Sequence, residues 1–210
     1  MNLIWLLCDA ITVTIKLFVL TLVFAIPLGL VVAFGRRSKN IVISRLTGIY
    51  ISVMRGTPLM LQLVVVFFAP FYIYGGNIDR FVAAIVAFSL NYAAYFAEIY
   101  RGGIDSIPKG QYEAGEVLGF SKLQVFFKII LPQVVKRILP AISNEVITLV
   151  KDTALATTIG INEMFRVANN EQSRISSLQP LFVAGAFYYV MNLIIAQLFK
   201  FAEKKLDYYK

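Results

Sequence analysis

Four long stretches of this sequence carry almost no charge, and they restrict the chain to one class of fold. Residues 11–34 contain a single charged side chain, Lys16, while residues 58–74, 81–97 and 181–199 contain none. Each stretch, with its flanks, approaches the roughly 20 residues that a helix needs to cross a bilayer. Hydrophobic residues make up 59% of the chain, more than the roughly half that is usual in soluble domains. The sequence therefore predicts an all-α integral membrane protein.

A further span is less obvious because charged residues interrupt it. Residues 138–157 are largely apolar but include Glu145, Lys151 and Asp152. With this segment, five transmembrane helices are predicted, at about residues 11–34, 54–74, 79–100, 138–157 and 181–202. An odd number of spans places the two termini on opposite sides of the membrane. No linker or low-complexity tract divides the sequence, so residues 1–210 are expected to form a single domain.

The basic residues are unevenly distributed between the predicted spans, and this sets the expected orientation. Most of the 20 lysines and arginines follow the first, third or fifth span. They are Arg36, Arg37, Lys39, Arg45, Arg55, Arg101, Lys109, Lys122, Lys128, Lys136, Arg137, Lys200, Lys204, Lys205 and Lys210. Because loops rich in lysine and arginine stay in the cytoplasm, the N-terminus is expected outside and the C-terminus inside. The net charge of +8 then reflects topology and contact with anionic lipid rather than nucleic-acid binding.

Several function classes lack the residues that they need. The sequence has no histidine and one cysteine, Cys8, so a metal site of the usual ligand types is not expected. It contains no GxxxxGK[ST] phosphate-binding loop, no nucleophile elbow and no dinucleotide-binding fingerprint. We therefore expect that the chain is not itself an enzyme, that it binds no cofactor, and that a partner or a gradient supplies its energy.

The charged segment between the third and fourth spans begins with a well-marked helix. Pro108 suits the first turn of a helix, where its missing N–H costs nothing. Gly119 suits the left-handed backbone position that ends a helix. The pattern predicts a short helix over residues 108–118.

A second short helix is predicted directly after this glycine. Ser121 and Gln124 have the spacing of a capping box, which opens a helix. Pro132 is expected to close it, because the residue before a proline disfavours helical geometry. The prediction is a helix over residues 121–130 that meets the first one at an elbow on Gly119. We call residues 108–130 the elbow segment.

Two interpretations of the elbow segment compete. An amphipathic helix resting on the membrane would explain Phe120, Phe126 and Phe127 beside Lys122 and Lys128. It would not explain the register of glutamate, alanine, glycine, leucine and proline along the segment. That register favours a protein partner.

This register resembles the EAA motif of ABC importer permeases, the loop that docks into the ATP-binding subunit. The matching residues are Glu113, Ala114, Gly119, Ile129, Leu131 and Pro132. Gly115 departs from the motif, which usually has a second alanine there, and the change should loosen the first helix by roughly 1 kcal/mol. The resemblance implies a set of residues that couple this chain to an ATPase: Tyr112, Glu113, Ala114, Gly115, Leu118 and Gly119.

Three further stretches resemble the branch of this family that handles polar amino acids. They are RGTP at residues 55–58, AEIYRGG at 97–103 and KDTAL at 151–155. The resemblance implies a type I importer in a bacterial cytoplasmic (inner) membrane, with a dimer of like or paralogous permeases that moves a polar amino acid by alternating access. It also implies an external solute-binding protein on one side and two ATP-binding subunits, which hold ATP and Mg²⁺, on the other.

Charged residues inside a span cost about 2.5–3.5 kcal/mol each even on insertion scales, and three of them lie in the fourth span. Glu145 and Asp152 are seven residues apart and so share a helical face. This face would line a polar pathway, with the carboxylates available for an ammonium and Lys151 for a carboxylate. Alternatively, Lys151 and Asp152 cap the outer end of the helix and reach the interface. The resemblance of KDTAL to the segment that lines the path in amino acid permeases favours the pathway.

The other polar residues within the spans are weaker candidates for the pathway. Asn91 can bond to a solute or to a neighbouring helix, and bonding between helices is the favoured interpretation. Gln62 is the only strongly polar side chain in the run that follows Pro58. Glu98 and Arg101 have the spacing of a structural ion pair on one helix.

A different class of protein fits part of the same pattern. A passive channel or a gradient-driven carrier, with a basic loop that binds lipid, would also be apolar and basic on one side. Isolation with an ATP-hydrolysing partner distinguishes the importer from this alternative.

Overall fold

In a computed structural model that describes residues 3–206, the chain folds into helices joined by short turns, and these residues form no strand. Lys210, counted above among the cytoplasmic basic residues, lies outside the described residues. The helices are α1 (Leu3–Arg36), α2 (Ile41–Gly56), α3 (Leu59–Tyr74), α4 (Arg80–Asp105), α5 (Lys109–Val117), α6 (Lys122–Gln124), α7 (Leu131–Asp152), α8 (Met164–Ile175) and α9 (Gln179–Lys205). A π-helical turn, Val125–Ile130, precedes α7, and a 3₁₀ segment, Thr153–Ile159, follows it. The all-α prediction is confirmed.

Within residues 3–206, α1, α4 and α9 are long and apolar enough to cross a bilayer, and the bent pair α2–α3 is a fourth candidate if it counts as one span. Helix α7 is not among them, because Lys136, Arg137, Glu145, Lys151 and Asp152 leave it no long stretch with few charges. The predicted span 138–157 lies within a longer helical stretch, since α7 begins at Leu131 and the chain tightens to 3₁₀ geometry after Asp152. The predicted bounds 11–34, 79–100 and 181–202 are too short, because backbone hydrogen bonding continues past the apolar runs.

Helices α1 and α4 form the centre of the bundle by packing through small residues. A Cβ placed on Gly29 would lie 2.8 Å from the Cβ of Phe96 and 3.1 Å from the carbonyl oxygen of Ala93. Ala25, Ala93 and Ala97 are fully buried around this crossing. Small side chains let the two backbones approach closely, which is how helices associate within a membrane.

The predicted span over residues 54–74 is not one helix. It is divided between α2 and α3, whose axes differ in direction by 110°. The residue before a proline is pushed out of helical geometry, and Thr57, before Pro58, is extended with φ −120° and ψ 149°. Residues 54–56 therefore belong to α2, and α3 starts afresh at Leu59.

The elbow segment matches the prediction at its centre and departs from it at its end. Gly119 has φ +77°, as predicted, and Ser121 and Gln124 form the predicted capping box. The separate helix over 121–130 is wrong, since the chain stays helical from Lys122 into α7. The Leu131 N–H bonds to the Phe126 carbonyl in a π-type turn. Pro132 then occupies the first turn of α7, where a proline is tolerated, rather than closing the preceding helix.

A buried carboxylate fixes α8 to the rest of the bundle. Glu163 is fully buried, and its side chain caps α8 by accepting from the backbone N–H groups of Phe165 (2.7 Å) and Arg166 (2.6 Å). The Tyr188 hydroxyl of α9 donates to the same carboxylate at 3.0 Å. The Met164 N–H donates to Thr14 of α1 at 3.2 Å. Burial raises the pKa of Glu163, although these hydrogen bonds oppose the shift.

Candidate functional site

A polar cavity lies where the α2–α3 bend faces α4 and α7. Its volume is about 240 Å³. The lining residues are Thr57, Leu59, Asn91, Tyr92, Tyr95, Glu145, Thr148 and Asp152. Two of these side chains are carboxylic acids, and none of the lining residues within 3–206 is basic. We call this space the acidic cavity.

The structure places Glu145 and Asp152 together on the wall of the acidic cavity. Thr148 lies between them on the same face of α7, as expected for positions three, four and seven residues apart on a helix. The Tyr92 hydroxyl of α4 donates to the Asp152 carboxylate at 2.7 Å. This contact joins residues 60 positions apart and orients one carboxylate at the junction of the two helices.

Lys151 does not share this wall. Its side chain is exposed, and it is absent from the residues that line the acidic cavity. Adjacent residues on a helix point about 100° apart, so Lys151 and Asp152 face different surroundings. The structure therefore does not bring Lys151 into the cavity with the two carboxylates.

Asn91 and Gln62 tie the bend between α2 and α3 to α4. The Asn91 amide donates to the carbonyl of Met54 and to the side-chain oxygen of Gln62, both at 2.9 Å. The Gln62 amide donates to the Thr57 hydroxyl at 2.8 Å and to the Met54 carbonyl at 2.9 Å. Asn91 also lines the cavity, whereas Gln62 lies behind it. Both amides are engaged in bonding between helices, and this bonding holds Thr57 at the cavity wall.

Arg55 stands at the rim of the acidic cavity, and residue-by-residue reasoning from the sequence did not assign it a site role. Its guanidinium carbon lies 5.2 Å from the ring centroid of Tyr95, a cavity-lining residue. Its Nη1 is 3.8 Å from a carboxylate oxygen of Glu98. The RGTP stretch marks the position of Arg55, but only the bend after α2 places it beside α4. Tyr95 and Thr148 were also missed, although Tyr95 is four residues after Asn91 and Thr148 is three residues after Glu145, so each pair shares a helical face. Tyr92 was missed as well, since it directly follows Asn91 and points about 100° away from it.

An ion network continues from this rim along α4. Arg101 donates to the two oxygens of Glu98 at 3.0 and 2.8 Å, so the residues predicted as an ion pair are in contact. Arg101 also donates to Asp105 at 3.0 Å, and Asp105 pairs in turn with Arg37 at the end of α1. The network therefore links the rim of the cavity to the end of α4, just before the elbow segment.

The elbow segment presents an apolar outer surface. Val117, Leu118, Leu123 and Phe127 are exposed by 87%, 73%, 71% and 59%. Its inner face is packed, with Val125 and Ile130 buried. Large apolar side chains exposed together at one end of a protein are typical of a surface that contacts another protein or a membrane.

The six predicted coupling residues lie on α5, the first helix of the elbow segment, and directly after its C-terminal end. Glu113, Ala114, Leu118 and Gly119 are exposed, and Tyr112 is half-buried. Gly115 differs from these because it is buried against the π-helical turn. A Cβ placed on Gly115 would lie 2.7 Å from a methyl carbon of Val125. The structure thus separates five accessible positions from one that packs inside the segment.

A membrane-embedded helical bundle with a polar internal cavity and an exposed apolar elbow at one end is the architecture of a membrane transport subunit. Residues 25–208 match the model of the family described as "binding-protein-dependent transport system inner membrane component". This match covers well over half of the chain, and the chain belongs to that family.

Individual relatives agree with the family match. The chain is 41% identical over 199 residues to the arginine transport system permease protein ArtQ of Bacillus subtilis, covering 94% of this chain and 91% of that protein. It is 36% identical over 200 residues to a putative glutamine transport system permease protein of Rickettsia felis, covering 92% of this chain and 89% of that protein. A crystal structure of an amino acid ABC transporter with histidines superposes with a TM-score of 0.88 at 34% identity, covering 95% of this chain and 94% of that one.

Proposed function

We propose that this chain forms the transmembrane pathway of an ATP-driven importer of cationic amino acids. The observation that supports a cationic substrate is that Glu145 and Asp152 both line a cavity whose described lining contains no basic residue. The relatives are named for different solutes, so ancestry alone does not choose among them. Two carboxylates can pair with the α-ammonium and with a cationic side chain of one substrate molecule.

Arg55 is the proposed partner of the substrate's α-carboxylate, in place of Lys151. It lies over Tyr95 at the rim of the acidic cavity, and its contact with Glu98 at 3.8 Å is loose. Glu98 already accepts two shorter hydrogen bonds from Arg101. The Arg55 guanidinium therefore keeps donors for a carboxylate, which it can bind in bidentate geometry.

The proposed topology has five spans, formed by α1, the α2–α3 pair, α4, α7 and α9. Helix α7 is the most polar of these, and its two carboxylates, Glu145 and Asp152, are accommodated because they face the cavity rather than lipid. The basic residues near the ends of α1, α4 and α9 support a cytoplasmic location for those ends by the positive-inside rule. The N-terminus is then outside the inner membrane and the C-terminus inside.

The elbow segment is the proposed docking site for the ATP-binding subunits. Its exposed apolar residues supply an interface, and ATP with Mg²⁺ binds to those subunits and not to this chain. Two permease copies, identical or paralogous, would stand between two ATP-binding subunits and an external solute-binding protein. Closure of the ATPase pair would move both elbow segments and reorient the bundle around the cavity, since each nucleotide state favours a different arrangement.

The test is ATP hydrolysis by the complex reconstituted in proteoliposomes with the solute-binding protein, measured with each of the common amino acids. Arginine, lysine and ornithine should stimulate hydrolysis and be taken up. Stimulation by neutral or acidic amino acids alone would reject the cationic substrate. Purification of the chain without any ATP-hydrolysing subunit, combined with ATP-independent flux, would favour the channel or gradient-driven carrier.

A further inference from the structure

A basic pocket lies between α7 and α9, at the end of the bundle that carries the elbow segment. Its volume is about 400 Å³. Lys136 from α7 and Lys200, Lys204 and Glu203 from α9 form its polar wall. Lys200 and Lys204 are four residues apart and therefore lie one above the other on the same face of α9. Among the described residues, this wall contains three lysines and one glutamate, and Lys200 and Lys204 are its two adjacent cations.

Within residues 3–206, the remaining wall of this α7–α9 pocket is apolar. It is formed by Leu139, Pro140 and Leu206. On α9 nearby, the side chains of Leu198 and Phe201 are exposed by 63% and 70%. Only 6% of the apolar stretch of α9 is buried inside the chain, so this helix presents a continuous apolar surface. A cationic wall at the end of such a surface suits an amphiphile with an anionic head.

We propose that the α7–α9 pocket binds one anionic phospholipid, a ligand beyond the proposed transport function. Lys200 and Lys204 hold the phosphodiester, and the acyl chains lie along the exposed face of α9. Basic pockets between helices on the cytoplasmic side of a membrane bind phospholipid headgroups in this way. A zwitterionic phospholipid fits less well, because its ammonium group adds a positive charge beside Lys200 and Lys204. The position of the pocket in the cytoplasmic leaflet rests on the proposed topology.

The test compares two charge-matched double variants of the purified complex with its ATP-binding subunits. The first, Lys200→Gln with Lys204→Gln, removes two cations from the pocket wall. The second, Lys39→Gln with Lys205→Gln, removes two cations from the proposed cytoplasmic side of the bundle but outside the pocket. Native mass spectrometry, with phosphatidylglycerol titrated into phosphatidylcholine mixed micelles, counts the lipids that remain bound to each complex.

The pocket variant should bind phosphatidylglycerol about 25-fold more weakly than the wild type, since each lysine near a membrane surface contributes roughly fivefold to anionic lipid binding. The control should lose less than about threefold, because exposed charges outside the pocket act only through a screened field. Phosphatidylcholine should not replace phosphatidylglycerol in the wild type. Lipid binding is counted without a transport measurement, so a failure of this proposal can be distinguished from a failure of the proposed transport function.

Three outcomes would overturn the proposal. Equal weakening by the two double variants would mean that a diffuse surface charge attracts the lipid. Displacement of phosphatidylglycerol by inorganic phosphate at equal concentration would make the ligand a free anion. Loss of the ATP-binding subunits or of the second permease copy from the pocket variant alone would mean that a protein surface covers the pocket.

Discussion

Substitution of Gly119 by valine should uncouple the elbow segment without unfolding the bundle. Gly119 ends α5 in a Schellman motif, in which the Gly119 N–H bonds to Glu116 (3.0 Å) and the Phe120 N–H bonds to Gly115 (3.1 Å). The motif requires the left-handed φ of +77° found at Gly119. A Cβ placed there meets no atom within 4 Å. The whole penalty of the substitution therefore comes from the backbone and not from a clash.

The size of that penalty follows from the conformation. A residue with a Cβ costs roughly 1–2 kcal/mol in the left-handed region, and a β-branched residue lies at the upper end. A cost of this size reduces the population of the native elbow about 5- to 30-fold. Gly119→Asn should have a smaller effect, because asparagine tolerates left-handed geometry. Valine at Gly110 is the matched control, since a Cβ there also meets no atom within 4 Å but φ is not positive.

The assay measures recovery of the ATP-binding subunits with the tagged permease, together with uptake of labelled arginine into proteoliposomes. Gly119→Val should lower both while the amount of permease in the membrane stays the same. Gly119→Asn should fall between Gly119→Val and the wild type, and Gly110→Val should resemble the wild type. Full recovery and full uptake with Gly119→Val would show that left-handed geometry at this position is not needed for docking.

Three further predictions test the cavity, the elbow packing and the anchor of α8. Glu145→Gln and Asp152→Asn should each raise the KM for arginine uptake at least tenfold, which is roughly the loss expected for one charge-assisted hydrogen bond. Unchanged KM values in both variants would mean that the substrate pathway lies elsewhere. Gly115→Ala should lower the melting temperature, because overpacking against Val125 costs about 1–3 kcal/mol, more than the roughly 1 kcal/mol that alanine gains over glycine in helix propensity. Adding Val125→Ala should restore the melting temperature. An unrestored melting temperature in the double variant would contradict this reasoning. Because the pKa of Glu163 is raised, its carboxyl group stays protonated to higher pH in the folded chain than in the unfolded chain, where its pKa is near 4.5. The free energy of unfolding should therefore fall as pH rises above that value, and Glu163→Gln should show a flatter melting-temperature profile across that range.

Features that depend on a few neighbouring residues were predicted well. The left-handed Gly119 and the capping box of Ser121 and Gln124 were both confirmed, because each is fixed by backbone geometry within one helical turn. Pro132 was misread, since a proline can either end one helix or occupy the first turn of the next. The π-helical turn before it decided between these outcomes, and no local pattern in the sequence marks that turn.

Features that depend on the meeting of distant segments were predicted only in part. The shared face of Glu145 and Asp152 follows from helical periodicity and holds in the structure. Helical periodicity does not determine which basic residue lies near the two carboxylates. Lys151 is adjacent in sequence but exposed, whereas Arg55 reaches the rim because the chain bends by 110° after α2.

The sequence by itself determined that this protein is a helical membrane bundle with an elbow near Gly119, because apolar run length, helical period and turn chemistry are properties of short segments. Only the tertiary structure decided which residues enclose the acidic cavity. Tyr92 meets Asp152 across 60 positions, and Asn91 holds the α2–α3 bend across 37. Such contacts arise from the close approach of helix backbones at small residues, and the approach depends on the packing of all the helices together.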